Sequence, residues 1–251
     1  MSSSTASAAS SLRYSVVVPF FNEEANVAPL VAEIIAVMAA LGDYEVVAVD
    51  DCSSDGTRTR LLECAAHDRV RVIAHGRRRG QSAALYSGIE AACGSWIITL
   101  DGDGQNDPSD IPRLLREVTG EHPPLLICGH RRQRRDSALR RLSSRIANGV
   151  RSRLLGDATP DTGCGLKVVQ RAAFLKLPRF DHMHRFLPAL MRRDGATVLS
   201  IAVSHRPRLH GHSKYGVWNR LGVGLVDLCG VMWLKRRAFA ASPIEELRHD
   251  R

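Results

Sequence analysis

Apolar runs alternate with amphipathic segments along the first half of this chain, and that alternation limits the folds that it can adopt. Five short runs are mostly apolar and rich in valine and isoleucine, which is typical of strands buried on both faces of a sheet. Strands that alternate with helices favour an α/β fold with a mostly parallel sheet flanked by helices. The predicted strands are 14–18, 45–49, 70–74, 96–100 and 125–128, and the predicted helices between them are 27–41, 58–66, 81–92 and 108–118.

The second half of the chain continues this pattern with longer helical segments. We predict helices around 139–155 and 184–193, a strand at 197–203, and a C-terminal amphipathic helix over the apolar stretch 221–234. That stretch has 14 residues and includes Asp227, so it is too short to cross a hydrocarbon layer of about 30 Å. The chain is therefore not expected to span a membrane.

Composition predicts three regions along the chain. The first twelve residues are rich in serine and alanine and carry no charged side chain, which favours a disordered tail over 1–12. Residues 13–216 are predicted to form one folded domain, and residues 217–251 a C-terminal apolar and basic helix with a tail. A hydrophobic content of 44% and a charged content of 24% exclude wholesale disorder and a collagen-like fold.

The chain is basic, with a formal net charge of +9, which favours phosphates, nucleic acid or an acidic membrane surface as partners. The segment 131–153 holds nine arginines and a single acid, Asp136. This segment is either a solvated helix face or a basic amphipathic helix on a membrane surface, with an apolar stripe of four aliphatic residues. A nucleic-acid-binding module is the weaker alternative, because the segment has no aromatic residue to stack on bases. The stripe consists of Leu139, Leu142, Ile146 and Val150.

The cysteines and histidines give little indication of a metal site. None of the six cysteines belongs to a C-x-x-C pair, which favours reduced, buried thiols in a cytosolic protein. His205, His210 and His212 lie close together in sequence, but neither a cysteine pair nor an HExxH motif accompanies them. A zinc site is therefore not expected.

Two aspartates one residue apart form the sharpest motif. Asp101 and Asp103 follow a predicted buried strand, where two carboxylates can converge on one divalent cation, and hard oxygen ligands favour Mg²⁺ or Mn²⁺. A calcium loop of the EF-hand type does not fit, since Gln105, Asn106 and Pro112 stand at its fifth, sixth and twelfth positions. An ordinary Asp-Gly turn remains the alternative.

Polar clusters follow three of the predicted strands, at 22–24, 50–51 and 101–103. Ligands of parallel α/β sheets bind beyond the carboxyl ends of the strands, so these clusters predict a nucleotide or phosphate site. The sequence lacks a P-loop, a G-x-G-x-x-G after its first strand and a G-x-S-x-G elbow, which argues against P-loop enzymes, dinucleotide-binding enzymes and α/β-hydrolases.

A basic loop near residue 210 adds a second candidate for phosphate binding. Arg208 offers a fork suited to phosphate oxygens, Lys214 a point charge, and Gly211 permits close approach of the backbone. A solvated surface loop explains the same residues equally well.

Together, four motifs in this order resemble family 2 glycosyltransferases with the GT-A (Rossmann-like) fold. The nearest subgroup is the dolichol-phosphate mannosyltransferase-like enzymes, which join a sugar to a polyprenyl phosphate. The similarity runs from Tyr14 to Lys214. It departs at Gly104, where many relatives have a larger apolar residue, and in lacking the C-terminal transmembrane helices of some relatives. The motifs are VPFFNE (18–23), VDDCSSDGT (49–57), DGDGQ (101–105) and RLHGHSK (208–214), and 129–131 and 161–165 match similar blocks.

The resemblance implies roles for individual residues. The nucleoside pocket would contain Pro19, Phe21, Glu23, Val49, Asp51 and Gly102. The metal would be bound by Asp101 and Asp103. The catalytic set would comprise Asp103, Gln105, Arg131, Arg208 and Lys214. The acceptor phosphate would be held by Arg131, Ser144 and Lys214.

The implied reaction is the inverting, Mg²⁺- or Mn²⁺-dependent transfer of a sugar from a UDP- or GDP-sugar to an undecaprenyl- or dolichyl-type phosphate. Such an acceptor, with a second pKa of about 6, is already ionised and needs no strong base. The alternative is transfer to a glycan or lipopolysaccharide hydroxyl, which would need a carboxylate base. We expect a cell-envelope enzyme that is peripheral on the cytoplasmic face of the membrane, without a nucleic-acid partner; a homodimer is left open.

Overall fold

The computed structural model describes residues 13–118, 124–131, 149, 151–157, 159–207 and 217–237. Within these residues a seven-stranded sheet forms the centre of the molecule. Its strands are β1 (Tyr14–Phe20), β2 (Tyr44–Asp50), β3 (Val70–Ala74), β4 (Trp96–Thr99), β5 (Leu125–Arg131), β6 (Lys167–Gln170) and β7 (Thr197–Val203).

The strand order is β3-β2-β1-β4-β6-β5-β7, and the sheet is mostly parallel. Strand β6 runs antiparallel to both of its neighbours, β4 and β5. The predicted α/β class and mostly parallel sheet are confirmed. The sequence analysis missed β6, because four residues are too short to show a period of their own.

Seven helices whose bounds lie within the described residues flank the sheet. The predicted helix 108–118 is shorter than expected, because a 3₁₀ turn over Pro108–Asp110 precedes it. A second 3₁₀ turn, Met183–Arg185, likewise delays the helix predicted from 184. Of the helix predicted at 139–155, most lies outside the described residues, and 151–155 is helical. The helices are α1 (Glu24–Met38), α2 (Thr57–Cys64), α3 (Gln81–Ala91), α4 (Ile111–Leu115), α5 (Arg171–Leu175), α6 (Leu187–Arg193) and α7 (Val217–Arg236).

Two apolar layers cover the faces of the sheet. Val16 and Val18 of β1 point into a layer built with α1, α2 and α4, whereas Val17 points into a layer built with α3, α5, α6 and α7. All three valines are fully buried. Successive strand residues face opposite sides, so a strand covered on both sides is apolar at consecutive positions, which explains the valine runs; the buried polar exceptions Ser15 and Glu45 are hydrogen-bonded to each other.

The antiparallel direction of β6 decides what meets at the functional edge. The carboxyl ends of β1, β2 and β4 lie at one edge of the sheet. Since Lys167 pairs with Thr99, the start of β6 lies at that same edge. The segment that leads into β6, residues 161–166, is therefore delivered to the loop that leaves β4.

The structure corrects the expectation that the cysteines are buried. All six are free thiols, but only Cys128 and Cys164 are buried, while Cys93 and Cys229 are exposed. None of the described helices combines the length and the apolarity that crossing a bilayer requires.

Candidate active site

The loop that leaves β4 begins with Asp101 and turns back through two glycines. A side chain at Gly102 would lie 2.6 Å from the Pro19 carbonyl oxygen, so only glycine lets this loop pack on the end of β1. Gly104 has a φ of 71°, a left-handed conformation that glycine adopts without strain. The Asp103 carboxylate accepts a hydrogen bond from the Gln105 backbone over 3.1 Å. The two acids are thus presented together at the edge of the sheet.

Asp101 is held from both sides. The Gln81 side-chain amide donates to its Oδ1 over 2.7 Å, and its backbone N–H donates to Asn106 Oδ1 over 3.0 Å. Burial and the nearby charge of Asp103 raise the pKa of Asp101 to about 6, although the charges of Lys167 and Arg131 act in the opposite direction. Proximity to a second carboxylate is unfavourable for an anion and would be relieved by a bound cation.

Gly165 approaches Asp101 so closely that a side chain would not fit. A Cβ there would overlap the Asp101 carboxylate and lie 2.6 Å from Asn106 Oδ1. The next strand begins at Lys167, whose buried ammonium group donates to the Cys164 carbonyl oxygen. The approach of residues 161–166 to Asp101 therefore depends on a missing side chain at residue 165.

Arg131, at the end of β5, is locked by Asp161. Its Nε lies 2.7 Å from Asp161 Oδ2 and its Nη2 lies 2.8 Å from Oδ1. Burial works to lower the pKa of Arg131, but the hydrogen bonds and charge of Asp161 raise it above its usual value. Arg131 therefore brings a permanent positive charge, in a fixed orientation, to the surroundings of Asp101.

The two acids at the end of β2 both have protein partners. Asp50 is fully buried and accepts hydrogen bonds from the Ser53 backbone over 3.0 Å and from Arg58 Nε over 2.8 Å. Asp51 accepts from the backbone N–H groups of Arg79 and Gly80, each over 2.8 Å. The two bonds to Asp51 fix the loop between β3 and α3 against the end of β2.

His75 also contacts Asp51, which was predicted to belong to the nucleoside pocket. Its Nδ1 lies 2.8 Å from Asp51 Oδ1, and its Nε2 lies 3.0 Å from Ser87 Oγ. The imidazole is buried. It joins the end of β2 to the middle of α3, so that Asp51 is oriented by three groups on the elements next to it.

The other predicted nucleoside residues are distributed unevenly around this edge. The Phe21 ring lies under the Arg78 guanidinium, 4.1 Å from its central carbon, a favourable cation–π arrangement. The Glu23 carboxylate is buried and accepts from Asn26 Nδ2 over 2.7 Å. Pro19 lies at the end of β1 beneath the loop that leaves β4. Val49 is different: its side chain is fully buried in the layer under α3 and does not reach the edge.

The chain returns to this edge after β7. The Arg206 backbone N–H donates to the Gln105 carbonyl oxygen over 3.0 Å. The Arg206 guanidinium lies 2.6 Å from Glu33 of α1 and 2.7 Å from Asp107. A small cavity of about 110 Å³ lies between Asp103 and the segment formed by Arg206 and Pro207. Residues 206–207 are therefore fixed beside the loop that leaves β4.

Three predicted site residues lie outside the described residues: Ser144, Arg208 and Lys214. Among the others, the structure brings Asp101, Asp103, Gln105, Gly102 and Arg131 to one edge of the sheet. Three further residues that hold this arrangement were not singled out from the sequence, and no local motif spacing distinguishes them: Gln81, Lys167 and Arg206. Asp161 lies in the matched block 161–165, but its pairing with Arg131 was not predicted.

Another contact anchors the start of α3, next to Gln81. Ser82 Oγ lies 2.7 Å from His184 Nδ1, which ties the 3₁₀ turn before α6 to the first turn of α3. Burial lowers the pKa of His184 well below its usual value, and the charge of Arg185 contributes. A neutral imidazole therefore supports the loop at residues 180–186.

The sequence profile described as "Glycosyl transferase family 2" matches residues 15–177. The chain belongs to glycosyl transferase family 2. It is accordingly a glycosyltransferase, and the resemblance stated from its motifs is confirmed.

Two relatives of this glycosyltransferase have curated names. A dodecaprenyl-phosphate galacturonate synthase from Rhizobium johnstonii is 37% identical over 232 residues, which cover 90% of this chain and 68% of the relative. An undecaprenyl-phosphate 4-deoxy-4-formamido-L-arabinose transferase from Edwardsiella ictaluri is 35% identical over 206 residues, which cover 81% of this chain and 63% of the relative. The chain thus spans about two thirds of the length of these relatives.

Solved structures support the fold of this glycosyltransferase. A mannosyltransferase from Pyrobaculum calidifontis in complex with GDP-Man and Mn²⁺ superposes with a TM-score of 0.65 at 18% identity, covering 92% of this chain and 66% of that one. A glucosyl-3-phosphoglycerate synthase from Mycobacterium tuberculosis, with Mn²⁺, UDP-glucose and glycerol 3-phosphate, gives a TM-score of 0.63 at 19% identity, covering 89% and 80%. At these identities the similarity establishes the GT-A-like fold.

The side chains around Asp101 fit a divalent cation. Asp101 and Asp103 offer hard carboxylate oxygens, and the raised pKa of Asp101 reflects a site that favours added positive charge. Within the described part of the chain, no group of three or more His, Cys, Asp or Glu side chains is assembled for a metal. Two acids suit Mg²⁺ or Mn²⁺, which take their remaining ligands from water and substrate phosphates.

Proposed function

We propose that this glycosyltransferase transfers a sugar from a UDP- or GDP-sugar to a polyprenyl phosphate of the undecaprenyl or dolichyl type. The names of the two curated relatives, a dodecaprenyl-phosphate galacturonate synthase and an undecaprenyl-phosphate 4-deoxy-4-formamido-L-arabinose transferase, support this choice of acceptor. The observation that carries the proposal is the meeting of the Asp101–Asp103 pair with the Arg131–Asp161 pair at one edge of the sheet. One pair suits a metal-bound diphosphate, and the other supplies a fixed cation for a second phosphate.

The donor nucleoside would lie along the ends of β1 and β2. Phe21 and Arg78 provide a stacked surface, and Asp51 is oriented beside it by His75. The buried Glu23, two residues after Phe21, is held in place by the hydrogen bond from Asn26. Because Gly102 closes directly over the end of β1, the donor's diphosphate would come to lie next to Asp101 and Asp103.

Asp101 and Asp103 would hold Mg²⁺ or Mn²⁺ at this point. A bound divalent cation supplies positive charge that neutralises the departing diphosphate. Gln81 keeps Asp101 in place through its 2.7 Å hydrogen bond, and Gly165 leaves room for the carboxylate. These residues orient the leaving group without exchanging protons with it.

Arg131 would hold the acceptor phosphate, with Ser144, Arg208 and Lys214 as further predicted contacts. A phosphate monoester with a second pKa of about 6 is mainly dianionic at neutral pH, so its oxygen can attack the anomeric carbon without a base. Orientation by Arg131 is then the main requirement, since correct positioning alone lowers a barrier substantially. Direct displacement by this oxygen inverts the anomeric configuration.

The proposal includes a peripheral position on the cytoplasmic face of the membrane, because the acceptor is a membrane lipid. A homodimer remains a prediction from the sequence. The disordered tail at residues 1–12, which lie outside the described residues, also remains a prediction. The same holds for the assignment of residues 217–251 to a separate region.

The test is a transfer assay with purified protein, radiolabelled nucleotide sugars, Mn²⁺ and polyprenyl phosphate. We expect a butanol-extractable, acid-labile product whose formation falls about a hundredfold or more in Asp103→Asn. Asp68→Asn serves as the matched control, since Asp68 is an exposed acid between α2 and β3, away from the site. Product formed only on glycan or lipopolysaccharide hydroxyls, or full activity in chelator, would refute the respective parts of the proposal.

A further inference from the structure

Helix α7 packs on the core with one of its faces. Val231 is 1% exposed and lies in the layer built with α3 and α6, with Leu228, Met232 and Leu234 packed around it. Two polar contacts fix the helix further. Asp227 accepts from His182 Nδ1 over 3.0 Å, and Lys235 donates to the Leu155 carbonyl oxygen. The orientation of α7 about its own axis is therefore set by the protein.

The opposite face of α7 is apolar and exposed. Leu225, Val226 and Trp233 are 63%, 72% and 61% exposed, and Cys229 between them is exposed as well. Their spacing follows the helical period, so they form one stripe along the helix. Leu154, 47% exposed, lies on the neighbouring helical segment whose next residue contacts Lys235. Leu154, Leu225, Val226 and Trp233 are four of the five large exposed hydrophobic residues in the described part of the chain.

Cations surround the C-terminal end of the stripe. Arg236 and Arg237, three and four residues after Trp233, are exposed. Lys235 lies with Arg192 and Arg193 around an open cavity of about 540 Å³ that also borders Gly156. Arg193 is paired with Asp194 over 2.6 Å and Asp227 with His182 over 3.0 Å, so the exposed charges at this end include Arg236 and Arg237. A tryptophan and several basic residues at the edge of an apolar stripe are typical of a membrane interface.

We infer that the outer face of α7, defined by Leu225, Val226, Cys229 and Trp233, docks on a bilayer that contains anionic phospholipid. This inference rests on the proposed function, which places the acceptor in a membrane, and names the surface that reaches it. Charge decides between lipid and a second copy of the chain. A second copy of this chain also carries a net charge of +9, whereas phospholipid headgroups bring the opposite charge to the basic end of the stripe.

The docking face is also connected to the proposed active site. Asp227 of α7 contacts His182, and the following 3₁₀ turn is bonded to the start of α3 through His184 and Ser82. The neighbouring residue of α3, Gln81, donates to Asp101. When the outer face of α7 lies on the bilayer, its inner face therefore still contacts, through Asp227, the residues that lead to Asp101.

The experiment is flotation of the full chain with phosphatidylcholine vesicles, with and without phosphatidylglycerol and without any polyprenyl phosphate. We expect binding that requires phosphatidylglycerol. Val226→Asp lowers the ratio of bound to free protein by about tenfold or more, because it places a charge at the interface. Arg236→Gln and Arg237→Gln each lower this ratio by about fivefold. Leu62→Asp is the matched control, since Leu62 is 60% exposed but lies on α2 in the other layer, and it leaves binding unchanged.

A second measurement guards against variants that fail to fold. In the wild-type protein, vesicles should shift Trp fluorescence to shorter wavelength, and Trp233→Phe should abolish most of this shift while circular dichroism stays the same. No flotation of the wild type, equal losses in Val226→Asp and Leu62→Asp, or loss of a dimer in Val226→Asp with vesicle binding intact would each overturn the inference.

Failure of the proposed function is distinguishable from these outcomes. A short-chain, water-soluble polyprenyl phosphate should be glycosylated equally by the wild type and Val226→Asp. If neither protein uses it while flotation behaves as expected, the choice of acceptor is wrong and the docking surface stands.

Discussion

Asp161 holds Arg131 by two parallel hydrogen bonds, of 2.7 Å and 2.8 Å, across 30 residues of sequence. Both side chains are shielded, with 12% of Arg131 and 7% of Asp161 exposed. A shielded pair of this kind contributes less to stability than its geometry suggests, because both charges have lost water. Its main effect here is to fix the direction of a cation next to Asp101.

Asp161→Asn should therefore reduce both stability and turnover. One charge-assisted bond is lost and Arg131 is left shielded without a counter-charge, which costs on the order of 3 kcal/mol. We expect a clear fall in melting temperature and a decrease in kcat/KM for the acceptor of about a hundredfold, measured with the KM of the donor nearly unchanged. Glu90→Gln removes the exposed Arg179–Glu90 pair and should change stability by less than about 1 kcal/mol. An equal effect of the two substitutions would contradict the assigned role of Asp161.

Gly165→Ala should abolish activity without unfolding the protein. The new Cβ would overlap the Asp101 carboxylate, so Asp101 must move away from Asp103. We expect the Mn²⁺- and donor-dependent rise in melting temperature to disappear. Gly230→Ala is the control, because nothing lies within 4 Å of a Cβ at that position and Gly230 lies on α7 rather than beside the proposed donor site. A normal thermal shift in Gly165→Ala would show that Asp101 does not contribute to cation binding.

The raised pKa of Asp101, about 6 in the folded protein against the ordinary 3.8, predicts a pH-dependent stability cost. Above pH 6 the group is charged in both states, and the folded state carries the full penalty of burial and of Asp103. As the pH falls from about 6 to about 4, the folded state takes up the proton first, so this penalty disappears. In chelator, Asp101→Asn should accordingly stabilise the protein at neutral pH, by on the order of 2 kcal/mol.

The check is the melting temperature of the wild type and of Asp101→Asn at several pH values. The gain from the substitution should be full at pH 7 and above, and should vanish near pH 4. Mn²⁺ affinity of the wild type should fall by about tenfold per pH unit below 6, since the proton competes with the cation. Asp43→Asn, on an exposed turn before β2, should show no such pH-dependent gain.

Arg206 anchors the chain beside the loop that leaves β4, and its replacement should affect the acceptor step. Arg206→Gln removes the contacts with Glu33 and Asp107 but leaves the backbone bond to Gln105. We expect kcat/KM to fall by about tenfold, with stability changed by about 1 kcal/mol or less because the pairs are partly exposed. Arg60→Gln, which removes an exposed arginine paired with Glu63, should leave the kinetics as they are.

The fold was largely predictable because β1, β2 and β4 are buried on both faces and their sequences are therefore unbroken apolar runs. The Asp101–Asp103 motif was recognisable because only one residue separates its two acids in the sequence. The contact of Gln81 with Asp101 and that of Asp161 with Arg131 were not, since they span 20 and 30 residues and only the sheet order brings the partners together. Strand β6 escaped prediction for a related reason: its position between β4 and β5 depends on pairing rather than on local periodicity.

The packing of Val231 against the same layer as α3 and α6 also bears on how this enzyme can be shortened. A fragment that ends at residue 216 would lose the partner of His182 and open that layer to water. Such a fragment should have a lower melting temperature than the full chain and should aggregate, although it keeps the catalytic motifs. Material intended for crystallisation or for enzyme engineering therefore needs to extend through residue 237.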